Sequence, residues 1–409
     1  MTTSTLIAQL AADHGTPFWL YDAATIEQRF MQMRAFDVVR YAQKANPNLH
    51  LLRLLKSLGA CVDAVSLGEI ERAHRAGFRN TEGRDEIVYT SDVIDAATLR
   101  RVIELNIPVN AGSPDMLDQI GAAHPGHRVW LRINPGFGHG HSKKTNTGGE
   151  SSKHGNWHAT LDECYERIAR HGLELVGLHM HIGSGVNDAH LREVCDAMVT
   201  LAKRCPFDLR AISTGGGMPV RYQDTDTEFE PAGFFQVWDA ARRELERRLG
   251  HPVMLETEPG RFIVAEAGCL VSEVRAVKQV GSRRFVLVNA GFNELVRPVM
   301  YGSYHRISTC DARGNSRDGA LVPTVVAGPL CESGDVFTQD KEANVLTRDL
   351  PPVQVGDLLV LHDAGAYGAS MSSTYNSRPL IPELLLESGG VRTIRRRQSL
   401  DELLQLEEA

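Results

Sequence analysis

Residues 38–261 carry one repeated pattern: a short apolar run, a polar or glycine-rich end, then an amphipathic stretch. The runs are Val38–Tyr41, Cys61–Val65, Ile87–Tyr89, Ile107–Val109, Val129–Ile133, Leu175–Met180, Leu209–Ile212 and Val253–Leu255. Runs this short, rich in Val, Ile and Leu, suit strands buried on both faces of a parallel sheet. The stretches between them start and stop as helices do. Ser66 and Glu69 have capping-box spacing before LGEIERAHRAG, with Gly77 as a stop, and Ser113-Pro114 reads as an N-cap and first helical residue. Eight strand–helix units predict a (β/α)8 TIM barrel, with a doubly wound sheet as the second choice.

The residues that follow the runs favour the barrel. They are Lys44, Ser66, Ser91-Asp92, Asn110, Asn134, His181, Gly215-Gly216-Gly217 and Glu258-Pro259-Gly260-Arg261. A barrel gathers all these positions at the C-terminal mouth, where barrel enzymes keep their active sites. One polar residue after a strand means little. Eight in succession, with a lysine, a histidine and two phosphate-friendly turns among them, mark a site.

Beyond about residue 265 the pattern turns to strands at Val271–Val280, Phe285–Val288, Thr324–Val326 and Leu358–His362, joined by Gly-, Asp- and Pro-rich turns. A C-terminal mainly-β domain is expected there, and Phe18–Tyr21 is expected to pair with it. The boundaries drawn are 22–264 for the barrel, and 1–21 with 265–409 for the β domain. Ser399–Glu408 resembles a capped closing helix. The long polar connection Gly136–Gly155 reads as an active-site loop or lid.

A chain of 409 residues is too long for one ordinary core. Its net charge of -7 argues against a nucleic-acid partner, and the basic run Arg395–Arg397 reads as a solvated surface. No apolar run is long enough to span a membrane, and the N-terminus lacks a secretory pattern. Seven scattered cysteines without a Cys-x-x-Cys pair fit reduced thiols and a cytoplasmic location. His139, His141, His154 and His158 match no standard spacing, so no metal is expected. Neither a dinucleotide fingerprint nor a P-loop is present.

Lys44, in YAQKAN, has the placement of an amine that forms an imine with the aldehyde of pyridoxal phosphate, yet alone it reads as readily as a surface lysine. Gly215–Gly217 can aim N–H groups at a phosphate or simply turn tightly. Glu258 can keep a pyridinium nitrogen protonated, and Arg261 can bind phosphate or carboxylate; an internal salt bridge is the plainer alternative. His181, in HMHIGSG, can pack on a cofactor face or serve structure, and Ser184 offers a small-residue turn near a phosphate. Cys331, in CESGD, can be a buried apolar residue or a proton donor. Tyr367 lies in a glycine-lined turn, and Arg297 and Tyr301 stand four apart; surface positions are the plainer reading for these.

Together the segments YAQKAN, VSLGEIERA, PVNAGS, LRINPGFGHGHSKKTNTGGESSKHG, HMHIGSG, TGGG, EPGR, RPVMYGSYH, GPLCESGD and DAGAYGASMSSTYNSRP resemble, in order, the diaminopimelate decarboxylase family of alanine-racemase-like (fold-type III) pyridoxal-phosphate enzymes. The long loop and RPVMYGSYH resemble the enterobacterial type most. The resemblance implies a barrel with a C-terminal β domain, pyridoxal 5'-phosphate as cofactor, meso-diaminopimelate as substrate, and a head-to-tail homodimer with shared active sites. It implies Lys44 as the imine lysine, His181 on the cofactor ring and Glu258 at the ring nitrogen. Gly216, Gly217, Gly260 and Ser184 would lie around the phosphate. It further implies Arg261, Arg297, Tyr301 and Glu332 at the distal end of the substrate, Tyr367 at cofactor or substrate, and Cys331 of the partner subunit as proton donor. An arginine and a carboxylate at that distal end suit a substrate with a second carboxylate and amine. The departure is Asn289, where an acidic residue is expected before GFNE. The alternatives are a sister decarboxylase for another basic or dicarboxylic amino acid, a non-catalytic pyridoxal-phosphate-binding relative and, third, a racemase.

Overall fold

The computed structural model describes residues 3–138, 146–183, 187–317 and 319–408. The chain divides into two compact units. One runs from Glu27 to Val220 and from Thr227 to Ile263; the other takes the residues up to Ile26, Arg221–Asp226 and those from Val264 onward.

The first unit is a closed barrel of eight parallel strands: β1 (Val38–Ala42), β2 (Cys61–Ala64), β3 (Ile87–Ser91), β4 (Val109–Ala111), β5 (Arg128–Asn134), β6 (Glu174–Met180), β7 (Ala211–Ser213) and β8 (Met254–Thr257). Each pairs with the next, and β8 returns to β1 through Glu256 opposite Val38 and Thr257 opposite Val39. The fourth and seventh strands begin two residues later than the apolar runs predict. For β4 the cause is visible: Pro108 has no N–H for a ladder, and only its carbonyl serves the sheet, accepting from Tyr89 N at 3.0 Å.

Helices cover the strands by ordinary local logic. In Leu67–Ala76, Ile70, Ala73 and Ala76 are buried at helical spacing, and Gly77 closes the helix at φ 99°. The expected capping box is half made. Ser66 Oγ accepts the Glu69 N–H at 3.2 Å, but the Glu69 carboxylate takes Val65 N–H at 2.8 Å rather than that of Ser66. That shift turns Glu69 from a helix-end residue toward the barrel mouth.

Near the N-terminal strand ends, Arg40 is buried and grips Glu256 with Nε and Nη2 at 2.6 and 3.1 Å while Nη1 donates to Asp85 O at 2.7 Å. Burial raises the Glu256 carboxyl, and Arg40 pulls it back down. A cavity of about 790 Å³ opens there, lined among others by Arg40, Arg84, Arg128, Arg210 and Glu256. It lies at the opposite end of the strands from the predicted site, and barrels keep their chemistry at the C-terminal end.

The second unit is built on a nine-stranded sheet. Its central path runs Arg348–Leu350, Val322–Ala327, Arg283–Val288, Gly268–Val280, Phe18–Asp22, Glu383–Glu387 and Gly390–Arg395. Leu358–Leu361 and Ile307–Cys310 branch from Gly268–Val280. The early strand Phe18–Asp22 does pair here, antiparallel to Gly268–Val271 and parallel to Glu383–Leu386. A cluster including Phe18, Leu20, Val271, Leu358, Val360 and Leu384 forms its core with the helix Ser4–His14. Asn289 is explained by this sheet: its Oδ1 accepts Glu273 N–H and its Nδ2 donates to Thr16 Oγ1, both at 2.9 Å.

The tail helix Leu400–Leu404 has its capping box, Ser399 with Glu402. The basic run beside it is largely exposed, as its composition implies, and it is also paired. Arg395 pairs with Glu383 at 3.1 Å, Arg396 with Glu402, and Arg397 donates to Pro17 O at 2.9 Å. Glu383 reaches Arg395 through strand pairing and Pro17 comes from the other end of the chain, whereas Glu402 is a local partner in the tail helix. Among the described residues no helix is long and apolar enough to cross a membrane, and no group of three His, Cys, Asp or Glu stands ready for a metal.

Candidate active site

At the C-terminal end of β1 the chain makes a 3-10 turn, Gln43–Ala45, that presents Lys44 to solvent between buried neighbours. The turn sits close against the segment after β8. Ala42 N–H donates to Pro259 O at 3.1 Å, and a Cβ on Gly260 would stand 3.1 Å from both Ala42 Cβ and Ala42 O. Gly260 therefore lets the Glu258–Arg261 turn press onto the lysine turn.

Glu258 is buried beside this contact. Its Oε2 lies 2.8 Å from His179 Nε2, and its Oε1 accepts from Ser213 Oγ at 3.2 Å. Burial opposes the charge of Glu258, but His179 and Lys44 overcome it and hold the carboxyl well below the usual carboxylate range. An ionised carboxylate only accepts, so His179 donates through Nε2; His179 Nδ1 has no hydrogen-bond partner. Asp63 is affected in the opposite sense: burial and the charge of Glu258 push its carboxyl up, and its Oδ1 has no partner. Two neighbouring acids are thus driven apart, the one pulled below the usual carboxylate range and the other pushed above it. Glu69 is pushed up to about 7, first by burial and then by Asp63, with the Val65 N–H and Lys44 working against the rise.

His181 follows β6, and its Nδ1 accepts the N–H of Gly216 at 3.2 Å. Burial, then Lys44 and Arg132, hold the imidazole far below its ordinary value. The ring is neutral at physiological pH, with its proton on Nε2, and presents an uncharged aromatic face. The glycine turn after β7 is required by space. A Cβ on Gly215, whose φ is 61°, would sit 2.1 Å from Met180 O; one on Gly216 would sit 2.6 Å from Glu258 O. Gly217 has φ 107°. Arg261 opens the short helix Arg261–Val264. Lys44, His181, Gly216, Gly217, Glu258, Gly260 and Arg261 are thus gathered at one end of the barrel. Ser184 lies outside the described residues, as do His139 and His141 of the long loop. Part of that loop's far side is anchored, since Thr147 N–H donates to Ile182 O at 3.1 Å and Gly155 N–H to Asp92 Oδ1 at 2.8 Å.

Sequence reasoning left out His179, Asp63, Ser213 and Glu69 as site residues. His179 had a signal, since it shares strand parity with His181. Ser213 and Asp63 stand two and three residues before marked turns and looked like strand interior. Their burial as polar groups inside the barrel is what singles them out.

In the β unit the remaining predicted residues form two groups. Arg297 and Tyr301 bound one helix, Arg297–Tyr301. Arg297 is buried, its Nη1 is 3.1 Å from His305 Nε2, and its guanidinium lies 5.1 Å from the centre of the Tyr222 ring. Cys331 and Glu332 are exposed and share Tyr375: the tyrosine donates to Glu332 Oε1 at 2.5 Å, and its oxygen is 3.8 Å from Cys331 Sγ. Tyr367 sits apart from both in sequence, at φ 56° in a Gly-lined turn. Asn376 was another omission, and it touches Cys331 at two points.

Residues 23–265 match the family model for the pyridoxal-binding domain of pyridoxal-dependent decarboxylases. The chain is 62% identical to the diaminopimelate decarboxylase of Streptomyces coelicolor over 97% of its length and 90% of that protein. It is 60% identical to that of Escherichia coli K12, over 99% of its length and 97% of that protein. A crystal structure of a diaminopimelate decarboxylase superposes with a TM-score of 0.96 at 60% identity, covering 99% of this chain and 96% of the other. The Helicobacter pylori enzyme crystallised with L-lysine superposes at 0.86 with 34% identity, covering 98% of each chain.

The barrel mouth fits pyridoxal phosphate on its own terms. It offers an amine, an ionised buried carboxylate, a neutral imidazole face, and a glycine turn in which Cβ atoms would strike carbonyls.

Proposed function

The chain belongs to the diaminopimelate decarboxylase family of pyridoxal-dependent decarboxylases, and on that basis we propose that it converts meso-2,6-diaminopimelate to L-lysine and CO2, the last step of lysine biosynthesis. The observation that carries the chemistry is Glu258, held ionised by His179 inside the barrel next to the Lys44 turn.

Pyridoxal phosphate, when bound, supplies the electron sink that accepts the pair left by the departing carboxylate. This chain's residues bind and orient it. Lys44 would be its covalent anchor. Glu258 would stand at the ring nitrogen, where a buried carboxylate keeps a proton on that atom and so strengthens the sink. His181 would pack on the ring, and its neutrality would avoid placing a second cation against the pyridinium. Gly217, Gly260 and Ser184 would take the phosphate on backbone and hydroxyl donors, with Gly216, whose N–H is given to His181, letting it approach closely.

The substrate's distal end is a second amino acid, with its own carboxylate and ammonium. Arg261, Arg297 and Tyr301 receive the carboxylate, Glu332 receives the ammonium, and Tyr367 contacts cofactor or substrate. Cys331 delivers a proton to the product α-carbon. Cys331 and Glu332 reach the site from the partner subunit of a homodimer, so the β unit of each copy completes the barrel of the other. A cytoplasmic setting is supported by seven free thiols, which persist in a reducing compartment.

Purified protein offered meso-diaminopimelate, ornithine or arginine should release CO2 from the first alone. Release from ornithine or arginine instead would point to a sister decarboxylase. Borohydride reduction followed by peptide mapping should put the pyridoxyl label on Lys44, and a label on another lysine would refute the anchor.

A further inference from the structure

We propose that Asn376 is the positioning residue that holds the Cys331 sulfur and stabilises the thiolate left when its proton is given up. The inference rests on the reading of Cys331 as proton donor. Asn376 sits within DAGAYGASMSSTYNSRP and has φ 54°, a left-handed backbone that asparagine tolerates better than other non-glycine residues. That conformation brings both ends of its amide onto one residue. Cys331 N–H donates to Asn376 Oδ1 at 3.2 Å, and Asn376 Nδ2 donates to Cys331 Sγ at 3.2 Å.

The orientation of this amide is fixed by chemistry. A backbone N–H can only donate, so the atom facing it is the oxygen, and the NH2 group therefore faces the sulfur. An N–H donor on sulfur favours the thiolate over the thiol. The other nearby donor is engaged elsewhere: the Tyr375 hydroxyl donates to Glu332 at 2.5 Å, and its ring stacks on Phe292 with centroids 5.4 Å apart.

The proton transfer then balances simply. The S–H bond of Cys331 breaks, its proton forms the new C–H bond on the product, and the electron pair stays on sulfur. Asn376 stabilises that anion until solvent returns a proton. Without Asn376 the sulfur anion loses its N–H donor and the proton is given up more slowly.

The test is the pH profile of iodoacetamide alkylation at Cys331 in holoenzyme, read by peptide mass spectrometry. Cys331 is the exposed thiol of the seven, so it reports selectively. Asn376→Asp keeps the acceptor for Cys331 N–H and the tolerance for the left-handed backbone, but replaces the N–H donor by a charged oxygen. Asn376→Gly removes the amide altogether and suits the same backbone, so it carries the test if the aspartate variant fails to fold. Both should slow alkylation of Cys331 at neutral pH by roughly 10-fold and displace its pH profile upward. The Asn376→Gly variant should lose kcat more than it changes KM, with its kcat–pH profile displaced the same way. An unmoved alkylation profile in both variants overturns the proposal. Cys331→Ser is the separate control: full CO2 release from it would refute Cys331 as donor, while the alkylation profile still decides the role of Asn376.

Discussion

His179 and Glu258 show how one contact sets the chemistry of a residue. Glu258 is buried, a condition that by itself keeps a carboxyl neutral, yet His179 at 2.8 Å and the charge of Lys44 reverse the outcome. Its pKa is depressed relative to the unfolded chain, so its contribution to stability is present at neutral pH. That contribution is lost as pH falls from the ordinary carboxylate value toward about 2. Replacing His179 by Ala leaves a buried carboxylate without its nearest donor. The expected cost is about 3–5 kcal/mol in urea unfolding at pH 7, with a shallower loss of stability between about pH 5 and 2. An unchanged acid transition would mean that His179 does not hold Glu258 ionised. The same variant should lose activity at neutral pH, since a protonated Glu258 no longer favours a protonated ring nitrogen. Lys44, Glu258 and His181 were legible in the sequence because each ends a recognisable apolar run. Asp63 was not, because its buried, half-partnered state is a property of the closed barrel.

At the scale of elements, the glycine turn after β7 and the turn after β8 do the positioning. Gly215 combines a φ of 61° with a carbonyl 2.1 Å from where its Cβ would be. Alanine there must distort the turn that carries Gly216, and with it the hydrogen bond that orients His181. Gly215→Ala should weaken retention of pyridoxal phosphate at least ~10-fold, the equivalent of about 1.4 kcal/mol, and should lower stability as well. Titration of the released cofactor by its absorbance measures this; wild-type retention would exclude the turn as the phosphate cradle. Strand and helix identities in the barrel were readable because the apolar runs are continuous and their helices carry local caps. The strands at Ile307–Cys310, Arg348–Leu350, Glu383–Glu387 and Gly390–Arg395 were not singled out. Gly390–Arg395 has only Val391 and Ile394 as apolar side chains, out of step with strand alternation, and its pairing partners come from turn geometry rather than from a long apolar signal.

For the whole molecule, the proposal is that a two-fold partner completes each site. Lys44→Ala and Cys331→Ala proteins are each expected to be nearly inactive. Mixed and allowed to exchange subunits, they should recover about a quarter of the wild-type rate, because half of the dimers become mixed and each carries one intact site. No recovery after demonstrated exchange would show that sites are self-contained.

The sequence by itself determined the barrel, its cofactor and its substrate family, because these depend on local periodicity and on motifs that follow strand ends in order. It also marked Lys44, the glycine turn and Cys331 as candidates. The tertiary structure decided which groups are charged and which are aimed. Barrel closure sets β8 against β1 and the end of β6 near Glu258, which fixes an ionised Glu258, an Asp63 carboxyl pushed up by burial and by Glu258, and a neutral His181. It also decided that Arg221–Asp226 belongs with the β unit, where Tyr222 lies against Arg297, and that Asn376 grips Cys331 from 45 residues away. Burial and long-range pairing set those energies, and neither is a property of any short stretch of chain.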